Sequence, residues 1–248
     1  MNKTASQENP LLNILINVLI PVIALSAMSK DGEQFWHIGA TKAMWLALIP
    51  PLAYGVWFFV KTRQTNFFSL LGLASVALTG GLTIYLWNQD GTVKPNAALL
   101  FGIKEGSIPL ILGVAMLLSH RTESPLLRAF LYNDSLFHIP LIEKTVAEKG
   151  VEREYQGLLW QSTMLFACSF LVSTVLNVGL ALHFLGSLDH HSPDARERYN
   201  EQVAKITGWG FLVIGVPILV FMAFTLLHLF RGLRRVTGLE QEQLMLPR

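Results

Sequence analysis

Six stretches of this chain are apolar for about the length a helix needs to cross a bilayer: 11–28, 44–60, 67–87, 97–119, 158–184 and 208–230. Inside hydrocarbon, every backbone N–H and C=O must find its partner within the segment, so such runs become helices. The expectation is an all-α, polytopic membrane protein of about six transmembrane helices, forming a single integral domain over residues 1–248. The first two runs are short, and the fifth is long enough to tilt or protrude. The first ends in "ALSAM" like a signal sequence. Only Lys3 is basic ahead of it, however, and the run is longer than a signal core, so it reads as a retained helix. Composition agrees: 15% of residues are charged, where a soluble domain carries about 25%. A net charge of +2 gives no case for nucleic acid, and leaves the basic residues as topology signals and the lipid bilayer as the main partner.

Those signals are lopsided. With six spans, one side holds Lys3, Lys61, Arg63, Arg121, Arg128, Lys144, Lys149, Arg153, Arg231, Arg234, Arg235 and Arg248. The other holds Lys30, Lys42, Lys94, Arg196, Arg198 and Lys205. The positive-inside rule then places both termini in the cytoplasm. Residues 61–66 make a tight turn, so spans two and three form an antiparallel hairpin. The link 120–157 is long and cytoplasmic. Ser124 before Pro125 is a helix-start signal, and Leu126, Leu127, Phe130 and Leu131 share the face that follows. This predicts a short helix on the inner membrane surface, with a docking site for a protein partner at 120–157 as the alternative. The outer loop 185–207 starts a helix at Ser192-Pro193 that can run into span six.

Helical rise assigns each intramembrane oddity a depth. Lys104 and Glu105 lie about 10–12 Å below the outer end of span four, and Thr79, Gly80 and Gly81 about 9–12 Å down span three. Pro50 and Pro51, Asn177, Pro21 and Pro217 fall in the same layer or slightly deeper. Prolines free a carbonyl one turn back, and a glycine pair permits close helix approach. Two readings stay open: an outward-facing polar cavity with Glu105 in its wall, or kinked helix packing. Pro50, Pro51, Gly80, Gly81 and Pro109 are the expected breaks or close contacts, with Ser107 and Pro109 loosening the helix after Glu105.

Neighbouring helix positions point about 100° apart, so Lys104 and Glu105 are not expected to pair. Lys104 is expected to snorkel outward. Glu105 is too short for that and must find a donor, a cation or water, or carry a proton. An intramembrane carboxylate is a functional-site hypothesis. The candidate ligand-contacting residues are therefore Glu105, Lys104, Asn177, Thr79 and Tyr54.

Other polar residues carry less. Asn13 and Asn17 share a face and read as interhelical glue, and Ser169, Ser173 and Thr174 can bond their own helix. Trp36, Trp45, Trp87, Trp160 and Trp209 make an interfacial belt. Cys168, the one cysteine, reads as a buried, unreactive thiol. "DHHSPD" (Asp189, His190, His191, Asp194) lacks zinc spacing and reads as a solvated loop. No cofactor, metal centre or catalytic pair is expected; homo-oligomerisation stays open.

The stretches "KAMWLALIPPLAYGVWFFVKTRQTN", "SLLGLASVALTGGLTIYLW" and "IKEGSIPLILGVAMLLS" resemble the core of an uncharacterised family of bacterial multi-pass inner-membrane proteins. More distantly they are similar to the intracellular septation protein A family, through Tyr54, Arg63, Gly80, Gly81, Lys104 and Pro109. Glu105 stands where that family has an aromatic residue. The resemblance spans roughly residues 40 to 120 and implies an inner-membrane protein tied to envelope integrity. Two functions follow: binding or transport of a small cationic or amphipathic solute through the cavity at Glu105, or a non-catalytic envelope or septation-related assembly protein.

Overall fold

The computed structural model describes residues 15–62, 67–122 and 125–245, with side chains of 61–72 excepted. The start of span one with Asn13, the turn residues 63–66 with Arg63, Ser124, Lys3 and Arg248 lie outside the described residues. Among those described, the chain is all helix, without a strand. The helices are α1 (Leu15–Ala27), α2 (Ala40–Thr62), α3 (Phe67–Leu86), α4 (Ala97–Ser119), α5 (Leu126–Phe130), α6 (Ile139–Lys149), α7 (Glu152–Leu185), α8 (Ala195–Thr237) and α9 (Gln241–Leu244).

Four of them are long and apolar enough to cross a membrane: Ala40–Val60, Ala97–Ser119, Glu152–Leu185 and Ala195–Thr237. At most 33% of any of their most apolar windows is buried within the protein. Exposed apolar side chains run along each, including Ile49, Ile111, Leu118, Val175, Leu219 and Val220. An apolar surface of that extent, on helices apolar all round, is compatible with an integral membrane protein. Cys168 belongs to this surface: it is exposed, not buried among protein atoms as the sequence suggested. An apolar run does not say which of its faces meets lipid.

The helices are less interrupted than expected. α2 continues through Pro50 and Pro51, and α4 through Pro109. The irregular turns stand before the other two prolines. A π-helical turn, Leu15–Leu19, precedes Pro21, and another, Phe211–Gly215, precedes Pro217. A proline removes one donor and crowds the carbonyl four residues back, and a wider turn relieves that crowding. α7 has 34 residues, about 51 Å of helix, and α8 with 43 is longer still. Both outrun a hydrocarbon core of about 30 Å.

The chain divides into two compact units. The first comprises the chain through Glu105 with Asn177–Leu212. α8 packs there on α1 and α2 around Ala24, Ala43, Ala47 and Ala204. Buried Asn200 donates from Nδ2 to Ser29 Oγ (3.0 Å) and to the Ala40 carbonyl (2.9 Å), fixing the entry to α2. Gly39, just before, has φ +82°, a conformation only glycine takes easily. Gly80 lies so close to α2 that an added Cβ would come 2.8 Å from Leu48 Cδ1, whereas Gly81 faces open space. Of the expected close-contact pair, only Gly80 does that work.

The second unit comprises Gly106–Leu176 and Val213–Arg248. Its core joins Met116, Leu127, Leu131, Tyr132, Phe137, Ile142, Tyr155, Phe166, Leu229, Leu233 and Leu244. The expected surface helix is α5, with Pro125 at its N-cap, but its apolar face does not lie on lipid. Leu127 and Leu131 are buried in this core, and Leu126 and Phe130 pack against it. Two further link segments, which the sequence reading did not assign, make that possible. α6 and the first turns of α7 supply Ile142, Val146 and Tyr155 as protein cover. The link is held to the chain's later part by Phe137 paired with Met245, and by the His138 N–H donating to the Leu244 carbonyl (2.9 Å). Lys149 Nζ donates to the Thr237 carbonyl (2.5 Å), a cation on the open C-terminal end of α8.

Candidate functional site

Ser75, Thr79 and Thr83 recur at four-residue intervals, so α3 presents one hydroxyl stripe. Thr79 Oγ1 donates to the Ser75 carbonyl and Thr83 Oγ1 to the Thr79 carbonyl, both at 2.9 Å. Their protons are committed to the helix backbone, so the oxygens turn lone pairs outward. Lys104 of α4 uses them. Its Nζ donates to Ser75 Oγ (3.2 Å), Thr79 Oγ1 (2.5 Å) and Glu105 Oε1 (2.7 Å).

This overturns two expectations. Lys104 does not snorkel outward; its side chain is 9% exposed. It also pairs with Glu105, because the flexible lysine stem curls across the 100° that separates the two Cα–Cβ directions. Two hydroxyls and a carboxylate within reach outcompete a distant interface for an ammonium in an apolar setting. The Glu105 side chain is 27% exposed, so the pair is asymmetric: a covered cation and an accessible carboxylate. Beyond the pair, Thr83 Oγ1 lies 3.5 Å from Tyr199 OH, and the buried Tyr199 ring meets Phe101 and Trp87 edge-on.

Of the residues predicted for the site, the structure thus unites Lys104, Glu105 and Thr79. Tyr54 sits among Trp57 and Phe58, with ring centroids 6.0 and 6.4 Å away, and Asn177 is half-buried on α7. Ser75 and Thr83 were missed, though their spacing with Thr79 is plain in the sequence. Gly102 was missed too. An added Cβ there would come 3.2 Å from Ala181 Cβ and 3.4 Å from Val178 Cα, so this glycine sets how closely α4 approaches α7 beside the ion pair.

A cavity of about 400 Å³ lies elsewhere in the first unit, between α1 and α8. Val22, Ala204, Trp209 and Leu212 make its walls apolar, while Lys30, Glu201 and Lys205 supply charge. Glu201 already pairs with Lys205 at 2.8 Å. Glu105 is not in its wall, so the expected cavity around Glu105 is not this one.

The loop "DHHSPD" is engaged in local structure. Asp189 Oδ1 accepts from the His191 N–H (3.2 Å), and Asp194 Oδ2 accepts from Arg198 Nε (2.7 Å). The hydrogen bonds from Arg198 and Ser192 hold the Asp194 carboxyl below its ordinary value. The His190 carbonyl accepts from the Val93 N–H (3.0 Å), laying this loop on the turn 87–93. α8 begins at Ala195 with Asp194 at its N-cap, two residues beyond the expected Ser192-Pro193 start. Among the described residues, no three His, Cys, Asp or Glu side chains group as metal ligands.

No protein-family model matches this chain, and neither the curated proteins nor the solved structures yield a match.

Proposed function

We propose that this is a six-span membrane protein, both termini cytoplasmic, that binds and moves a small cationic or amphipathic solute at Glu105. The observation that carries this reading is the asymmetry of the ion pair. Lys104 is covered and accepted by two α3 hydroxyls, while the carboxylate it neutralises is the accessible partner. An arriving cation can take over Glu105 without stranding Lys104, which keeps Ser75 and Thr79. A charge held within a membrane helix otherwise costs stability without return. The sixfold apolar pattern and the lysine and arginine asymmetry support the topology, and the motif resemblance supports a bacterial inner-membrane location.

The test is flux. Purified protein in liposomes is loaded with a panel of organic cations, and release is followed for wild type and Glu105→Gln. The expected result is cation release by wild type and at least a ten-fold loss in the variant, with unchanged incorporation and folding. Equal release by the two would overturn the reading, as would no release or saturable binding of any cation by wild type. Either result would favour the assembly-protein alternative, in which the ion pair only fastens α4 to α3.

A further inference from the structure

Two hollows in the second unit meet at the end of α4. One, about 300 Å³, is lined by His120, Arg121, Arg128, Tyr132, Gln156 and Thr163 among others. The other, about 730 Å³, shares His120, Arg121 and Gln156 and continues along Leu118 and Trp160. The polar hollow carries two guanidinium groups and no carboxylate among its described lining residues. Arg128 is engaged with Glu143 at 2.5 Å, but Arg121 takes part in none of the ion pairs found among the described residues. The His120 ring lies 4.7 Å from that of Trp160, and its Nδ1 is 3.3 Å from Thr163 Oγ1.

Location decides what such a pair of hollows suits. His120 and Arg121 directly follow the membrane-length helix Ala97–Ser119, so a bilayer crossed by that helix would bring its headgroups to the basic hollow. The connecting surface runs back along that helix: Leu118 is 74% exposed and Trp160 41%. A basic, hydroxyl-bearing recess opening onto an apolar strip at a membrane boundary matches a phosphate headgroup above an acyl chain. A free inorganic anion would have no use for the strip, and a peptide would have to enter the acyl region. We propose that the His120–Arg121–Arg128 recess binds an anionic phospholipid, with the phosphodiester against Arg121 and an acyl chain along Leu118 and Trp160. The site is independent of the Glu105 reading.

The experiment uses the full chain purified in a neutral detergent and titrated with dioleoyl phosphatidylglycerol or dioleoyl phosphatidylcholine, with bound lipid counted by native mass spectrometry. The expected result is preferential retention of phosphatidylglycerol by wild type. Arg121→Ala should weaken it roughly five-fold, the effect of about one interfacial cation. Because Arg121 is exposed just past a helix end, this variant leaves the core intact. Arg121→Ala/Arg128→Ala should weaken it further, and Lys144→Ala, an exposed cation outside the recess, should not weaken it. Equal retention of the two lipids by wild type overturns the proposal, and so does unchanged affinity in Arg121→Ala. Displacement of the lipid by inorganic phosphate or glycerol phosphate at equal concentration also overturns it, and assigns the recess to a soluble anion.

Discussion

At the residue scale, the Lys104–Glu105 pair makes a claim about coupling. Breaking one side of a covered ion pair costs more than removing both, because a lone charge is left behind. Lys104→Met should therefore destabilise the protein more than Lys104→Met/Glu105→Gln, by about 1–2 kcal/mol, with the accessible carboxylate keeping the difference modest. Thermal unfolding in a fixed detergent checks this, and equal losses would mean the two groups do not interact. Thr79→Val should cost about 1.5–3 kcal/mol, the range for a hydrogen bond to a charged group. His120 gives a pH dependence. Burial, then the charge of Arg121, holds its pKa below 6.5. The unfolded chain thus takes up the proton first. The stability this histidine contributes is complete above its ordinary value and falls away as pH drops through the lowered one. Melting temperature should decline from pH 7 toward pH 5, and His120→Gln should flatten part of that decline. None of these partners could be read from position 104 or 120 alone. What decides them is which hydroxyl stripe or charge a neighbouring helix presents, and apolar helices of this kind show no sequence signal for that pairing.

At the element scale, the apolar helices were legible from run length and hydropathy, whereas α6 of the link was not. Nor was helix interruption. Pro50, Pro51 and Pro109 sit within continuous helices, while Pro21 and Pro217 follow π turns, and a proline's sequence position does not distinguish the two outcomes. Pro217→Ala restores a donor and removes the crowding ring. Amides of 211–217 should then exchange hydrogen more slowly, and unchanged exchange would separate the π turn from its proline. Gly102 offers the opposite kind of test. Gly102→Leu must push Ala181 and the α7 backbone away, at about 1–3 kcal/mol for an overpacked contact. Gly81→Ala, facing open space, should cost nothing measurable.

At the scale of the whole molecule, at most 33% of any membrane-length helix's most apolar window is covered by protein, a surface compatible with lipid. Cys168 reports on it: exposed on the protein, it should stay unlabelled by a membrane-impermeant maleimide in sealed vesicles. After denaturation in detergent it should label fully. Labelling in intact vesicles would place α7 outside the bilayer. The link 120–157 shows where reading by composition stops. Its apolar face is evident, but part of what covers it, Leu229, Leu233 and Leu244, comes from residues distant in sequence. That fact has a consequence for how the chain is made. Phe137 and His138 leave the ribosome long before Leu244 and Met245, which complete their backbone pairing, and before Leu229 and Leu233, which fill the core they border. During that interval Leu127, Leu131 and Phe137 have only the cover of α6 and α7, and the core face that Leu229, Leu233 and Leu244 complete stays open to aggregation or to an insertion chaperone. α9 thus acts as a latch on a link made much earlier, and a stop before Gln241 would release a chain in which Phe137 and His138 lack their backbone partners.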